Sequence, residues 1–243
     1  MLARVEHRRI HASGGQGRAL YAEAVNNMAT RNKPEGGALQ SVIERLVTDA
    51  VKEASEKSVA VETVIDQKLE PISGVQGGYD FATVLKAYWR GSEESNGSLK
   101  ENAIRWLRGE YSTKTDARKD LGVRTIIDDE TVYESLKSLA CLVRVAGYAG
   151  LLVMFDEMAN IYKLQNAQAR KQNYEQILNI VNDALQGTTS GIGFVMCGTP
   201  EFLLDTRRGV FSYEALQSRL AENVFAGQGR VEVFPAAQDA LQL

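Results

Sequence analysis

The chain has 243 residues, of which 44% are hydrophobic and 24% charged, with a formal net charge of -3. This is an ordinary globular composition, with material for one large domain or two small ones. It excludes a global positive field toward nucleic acid, although Arg4, Arg8, Arg9 and Arg18 crowd the start of the chain. No apolar run is long enough to span a bilayer and no secretory leader opens the sequence, so no membrane association is expected. Cys141 and Cys197 sit in apolar stretches and read as reduced core residues of a cytoplasmic protein. With only His7 and His11 beside them, neither a zinc site nor a histidine-dependent hydrolase triad is expected.

In chain order, Val5 to Ile10 reads as the end of a strand, broken by the glycines Gly14, Gly15 and Gly17. Arg18-Ala19 follows them, where a phosphate-binding loop would have Lys-Ser or Lys-Thr, so the glycines read as a turn. Tyr21, Ala24, Val25 and Met28 predict a helix, and Leu39 to Ala50 a longer one running toward Ser58. Val59 to Leu69 continues as helix, Pro71 to Gly78 as loop, and Phe81 to Trp89 as a short helix. Ser98 with Glu101 forms a capping box for the helix of Leu99, Ala103, Trp106 and Leu107. Gly109 to Thr115 comes near a Walker A motif but has Thr113 where the glycine before the lysine is needed, so it reads as a helix-linking loop. Asp128 or Asp129 is expected to cap the helix of Val132 to Val143, which Gly147 ends.

Leu151-Leu-Val-Met-Phe155 is five apolar residues in a row, read as a strand buried on both faces at the centre of a parallel sheet. Asp156 and Glu157 close it at the carboxyl edge, where open α/β sheets bind ligands. Adjacent carboxylates there have two readings. One is a Walker B pair, with Asp156 for a nucleotide's magnesium and Glu157 to polarise an attacking water. The other is a plain helix cap. A helix from Tyr174 to Leu185 ends at Gly187 and leads into a second buried strand, Ile192 to Cys197. This βαβ pattern sets Thr199 beside Asp156, either as a hydroxyl that orients water or as the cap of the helix begun by Pro200. A helix of Tyr213, Leu216 and Leu220 carries Arg219, readable as an arginine finger or a solvated side chain. Val231 to Phe234 reads as a last strand.

Taken together, Gly14-Gly-Gln16, Ala29-Thr-Arg31, Ala103 to Tyr111, Leu121 to Arg124, Phe155-Asp-Glu157, Gly198 to Leu203, Arg207-Arg-Gly209 and Tyr213 to Asn223 resemble the ATP-binding P-loop proteins of bacterial BREX-type phage-resistance loci, the BrxD-like group. The likeness covers about residues 8 to 226. It implies an α/β fold: an AAA+-like (ASCE) P-loop NTPase core with a mostly parallel sheet and a large helical insertion. The implied division is a remnant of the core over 1–30, a helical insertion over 31–146, the Walker B and sensor half over 147–235, and a tail over 236–243. Asp156 and Glu157 are then Walker B, Thr199 the sensor position and Arg219 the candidate finger. ATP and Mg2+ are the implied cofactors.

The family carries Gly-x-x-x-x-Gly-Lys-Ser/Thr ahead of the segment matching Val5 to Gly17, and this motif is not in the 243 residues. On that comparison the core is incomplete by on the order of 40 to 60 residues at the front, the usual extent of such a strand–loop–helix unit. A C-terminal lid is expected to be absent, and Val231 to Phe234 to lack a partner. The implied function is an ATP-hydrolysing, homo-oligomeric component of a phage-defence system, working with other defence proteins and with DNA as a candidate partner. The alternative is a non-enzymatic helical scaffold that binds a partner protein or DNA.

Overall fold

The computed structural model describes residues 2–6, 16–187, 190–222 and 233–235. The histidines His7 and His11, the glycines Gly14 and Gly15, Val231 and the tail from residue 236 lie outside the described residues. Two compact units emerge, one made of residues 2–5, 16–154 and 191–195, the other of 155–187, 190, 196–222 and 233–235 with residue 6. Helix dominates, and no described helix is long and apolar enough to cross a membrane.

The first unit is a helical array set on a small sheet. After β1 (Leu2–Glu6), α1 (Gln16–Asn26) buries Tyr21, Ala24 and Val25. Met28, expected on the same helical face, instead opens the two-residue strand β2 (Met28–Ala29), antiparallel to β1. Either backbone would bury Met28, so apolar spacing alone could not separate them. Helix α2 (Leu39–Lys57) buries Val42, Ile43, Leu46 and Ala50, as its periodicity dictates. Helix α3 (Val61–Ser73) runs past the expected end and holds Pro71 in its last turn, where the buried Ile72 still anchors it. Only Gly74 to Gly77 is loop, and α4 (Gly78–Glu93) is longer than expected. Gly78 is obligatory there, because a Cβ would run into the Ile72 carbonyl oxygen.

Helix α5 (Gly97–Leu107) is capped by Asn96, whose Oδ1 accepts the Leu99 N–H at 3.0 Å. The Ser98–Glu101 capping box is therefore corrected: the helix starts one residue before Ser98 and has its cap already. Arg108 to Ser112 is loop, and Thr113 caps α6 (Lys114–Leu121) through the Asp116 N–H. Helix α7 (Val132–Val145) has neither Asp128 nor Asp129 at its cap position. Asp128 Oδ1 instead accepts the Glu130 and Thr131 N–H groups ahead of the helix, and Asp129 Oδ1 accepts that of Arg18 at 2.9 Å, tying α1 to this turn. Successive helices α2 to α5 pack on one another, and α7 packs against α1, α2, α3 and α4. Asp80, 9% exposed, accepts the N–H groups of Arg124 and Thr125 and the Thr125 hydroxyl, fixing the loop after α6.

The sheet order is β2-β1-β3-β4, with β3 at Leu151–Asp156 and β4 at Ile192–Met196. Leu151 N–H bonds Gly191 O at 2.8 Å and Cys197 N–H bonds Phe155 O at 2.8 Å, so β3 and β4 run parallel with Leu152 beside Gly193. Gly150 and Gly191 allow the two strands to start this close: a Cβ on Gly150 would lie 2.6 Å from the Gly191 oxygen. The sheet is mixed, with β3–β4 parallel and β1–β2 antiparallel. One expectation is corrected. The strands are not buried on both faces: Leu151 and Val153 are 2% and 0% exposed, whereas Leu152 and its neighbour-strand Val195 are 39% and 38% exposed. A continuous apolar run records hydrophobic side chains on both faces without recording that both are covered.

The second unit continues from the strand ends into α8 (Ala159–Lys163), α9 (Ala167–Gln186) and α10 (Pro200–Leu204). Asn166 caps α9, and Gly187, at φ +63°, ends it. A 3-10 turn at 210–212 precedes α11 (Glu214–Gln217), which is four residues long. Leu220, expected on that helix, begins β5 (Leu220–Glu222), and β5 pairs antiparallel with β6 (Val233–Pro235). The last strand therefore has a partner, which begins at the Leu220 read from sequence as helix.

Candidate functional site

The two carboxyl ends of the parallel strands are stitched together within the second unit. The Cys197 N–H donates to Phe155 O, and its own carbonyl accepts the Met158 N–H at 2.9 Å. Asp156-Glu157 and Gly198-Thr199 thus leave the sheet side by side. Cys197, expected in the core with Cys141, is exposed and Cys141 half-buried, because the outer face of β4 is uncovered and an apolar run does not record that. Glu157 is exposed and adopts φ +56°, one of three described non-glycine residues in the left-handed region. Such a conformation disfavours an L-residue by roughly 1–2 kcal/mol, and strain of this kind concentrates at working sites. Half-buried Asp156 accepts the Glu157 N–H through Oδ1 at 2.8 Å, which holds the sharp bend between strand and carboxylate.

Thr199 is exposed and caps α10: its Oγ1 accepts the Phe202 N–H at 3.4 Å. The Glu201 carboxyl is held below its usual range by its own backbone N–H and by the Thr199 hydroxyl. Pro200 sits at the first helical position, where its missing N–H leaves no bond unmade. Arg219 lies in the turn between α11 and β5, and its Nη1 donates to Ala215 O at 2.8 Å and to Ser218 Oγ at 3.4 Å. The structure therefore brings Asp156, Glu157 and Thr199 to one edge, while Arg219 is folded back on α11.

A set of residues that sequence reading passed over fixes the turn after α10. Tyr162 donates its hydroxyl to Asp205 Oδ2 at 2.8 Å, and Asp205 Oδ1 accepts the Arg207 and Arg208 N–H groups at 2.7 and 3.2 Å. These N–H groups, Arg207's first, and the Tyr162 hydroxyl hold the Asp205 carboxyl low, and the same bond to Asp205 raises Tyr162. Arg208 donates to the Tyr162 and Leu164 carbonyls, and its own carbonyl accepts the Tyr174 hydroxyl at 2.6 Å. Gly209 closes the turn against α10, since a Cβ there would lie 2.7 Å from the Asp205 and Phe202 oxygens. The Arg207-Arg208-Gly209 triplet was the available signal, but spacing could not show that Arg208 points inward.

A magnesium held through a nucleotide needs one or two protein carboxylates, its other ligands being phosphate oxygens and water. Asp156 with Glu157 supplies that number, and among the described residues no group of three or more His, Cys, Asp or Glu forms a self-sufficient metal site. The donor set thus fits a metal that arrives with its ligand. Against known families, the chain matches the model described as BREX system ATP-binding protein BrxC/D over residues 2–242. The chain belongs to the BrxC/D family. Membership spans more of the sequence than the motifs between residues 8 and 226, reaching through β6. No curated protein and no solved structure matches this BrxC/D family chain.

Proposed function

We propose that this BrxC/D family chain contributes the hydrolytic side of an AAA+-like ATP site in a BREX phage-defence system. The observation that carries the reading is the parallel β3–β4 pair, which presents Asp156, Glu157 and Thr199 at one carboxyl edge. In this reading Asp156 orients the magnesium that accompanies ATP, which supplies charge neutralisation at the phosphates when bound. Glu157, exposed directly after the strand, accepts a proton from the attacking water. Thr199 positions that water or touches the terminal phosphate while still capping α10. Arg219 would act across a subunit boundary after releasing its bond to Ala215 O, so that turnover needs a homo-oligomer. Other BREX proteins are the partners that family membership implies.

Because no Gly-x-x-x-x-Gly-Lys-Ser/Thr occurs in the 243 residues, the phosphate-binding half is supplied by other residues. The expected outcome is weak ATP binding by these 243 residues titrated alone in a calorimeter, and turnover once a strand–P-loop–helix segment of the family type is joined ahead of them. Glu157→Gln in that extended protein should bind ATP and hydrolyse it at least about a hundredfold more slowly, the size of a lost general base. Micromolar binding by the 243 residues alone would overturn this division of the site. Undiminished turnover in the Glu157→Gln protein would remove Glu157 from the chemistry. No turnover in the extended protein favours the second reading, a scaffold, which the size of the helical unit supports.

A further inference from the structure

Several surface cations of the helical first unit are matched with acids. Arg45 lies against Asp49, Lys57 and Lys68 share Glu53, Lys86 bridges Asp66 and Glu62, Arg90 meets Glu94 and Lys137 meets Glu134. From α5 through the loop after α6 such pairing is sparser, with Arg105 facing Glu110 at 3.8 Å. Lys100 and Arg108, both half-buried, line a groove with Tyr88, Arg105 and the acids Glu101 and Glu110, and among the described residues neither forms an ion pair. Lys100 instead rests over the Tyr88 ring at 4.9 Å, and Arg105 over the Tyr111 ring at 5.1 Å.

Along α6 and the loop beyond it Lys114, Arg118, Lys119 and Arg124 are all exposed, and none forms an ion pair among the described residues. Four acids lie in this stretch, and three are engaged: Glu110 faces Arg105 at 3.8 Å, Asp116 bonds Thr113 and Asp120 accepts the Tyr111 hydroxyl at 2.8 Å. Glu101, which lines the groove, is the fourth. Residues 100–124 thus hold seven cations against four acids in a chain whose net charge is -3. Guanidinium and ammonium groups that outnumber the acids of their own stretch are what a polyphosphate backbone binds.

We propose that the α5–α6 face is a contact surface for the phosphate backbone of nucleic acid, with Lys100 and Arg108 in the groove and the α6 cations extending the track. The inference stands independently of the nucleotide site, using none of its residues.

The test is fluorescence anisotropy on the full chain with a labelled duplex of about 20 base pairs and the matching single strand, between about 50 and 200 mM salt. Binding should weaken steeply with salt. A Lys114→Ala, Arg118→Ala double variant, changed only at exposed helix positions, should lower the log–log salt slope by about 2 and weaken binding about tenfold or more at the lower salt. Arg108→Ala should lower the slope by about 1. A Lys52→Ala, Arg90→Ala variant removes two cations that already have acid partners and should leave the curve unchanged. The tighter of the two probes identifies the strand form recognised. No binding to either probe at the lower salt overturns the proposal. So does an unchanged slope in the α6 variant, or an equal loss in the paired-cation variant.

Discussion

At the scale of single residues, Glu157 is where local preference and chemistry disagree. A glutamate prefers right-handed or extended backbone, yet Glu157 is held at φ +56° directly after a strand. Replacing it with glycine would relieve roughly 1–2 kcal/mol of backbone strain, offset in part by the added freedom glycine brings to the unfolded chain. Glu157→Gly should therefore leave the unfolding midpoint unchanged or raise it, by no more than about 1 kcal/mol of stability. Glu56→Gly, at an exposed position in α2, should lower stability by about 0.5–1 kcal/mol. Chemical denaturation of the two variants compares them directly. A loss from Glu157→Gly as large as that from Glu56→Gly would mean the carboxylate itself holds the bend.

At the scale of elements, the chain was legible wherever one periodicity acted alone. Helix α2 declares itself through Leu39, Val42, Ile43 and Leu46, and the strands β3 and β4 through unbroken apolar runs. Boundaries were not legible, because they depend on which of several competent residues captures an N–H group. Asn96 and Ser98 are both good caps, and the structure gives the role to Asn96. Asn96→Ala should then lower stability by about 1 kcal/mol, whereas Ser98→Ala should stay within about 0.5 kcal/mol. Equal losses in thermal unfolding would restore the Ser98 cap. Leu220 went astray for a different reason: Leu216 and Leu220 are four apart, a helical spacing, but α11 stops at Gln217 and Leu220 pairs with Pro235 across β5–β6. Long-range pairing of that kind leaves no mark in a local window. For the site, Asp156, Glu157 and Thr199 could be read from their places at strand ends. The inward turn of Arg208 and the fold-back of Arg219 could not, since both are settled by carbonyl acceptors that any sequence offers.

For the whole molecule, charge and greasiness are distributed unevenly. Cations outnumber acids over residues 100–124, and uncovered apolar side chains lie on one face of β3 and β4. Residues 192–196, Ile-Gly-Phe-Val-Met, contain neither a charge nor a proline, and β4 closes the described sheet order. Nothing in that strand's own composition discourages another strand from adding to it. The practical result concerns how the purified protein keeps in a tube. Light scattering of concentrated samples should grow with storage, and a lysine at position 195 should slow that clouding while melting behaviour changes little, because Val195 already meets water.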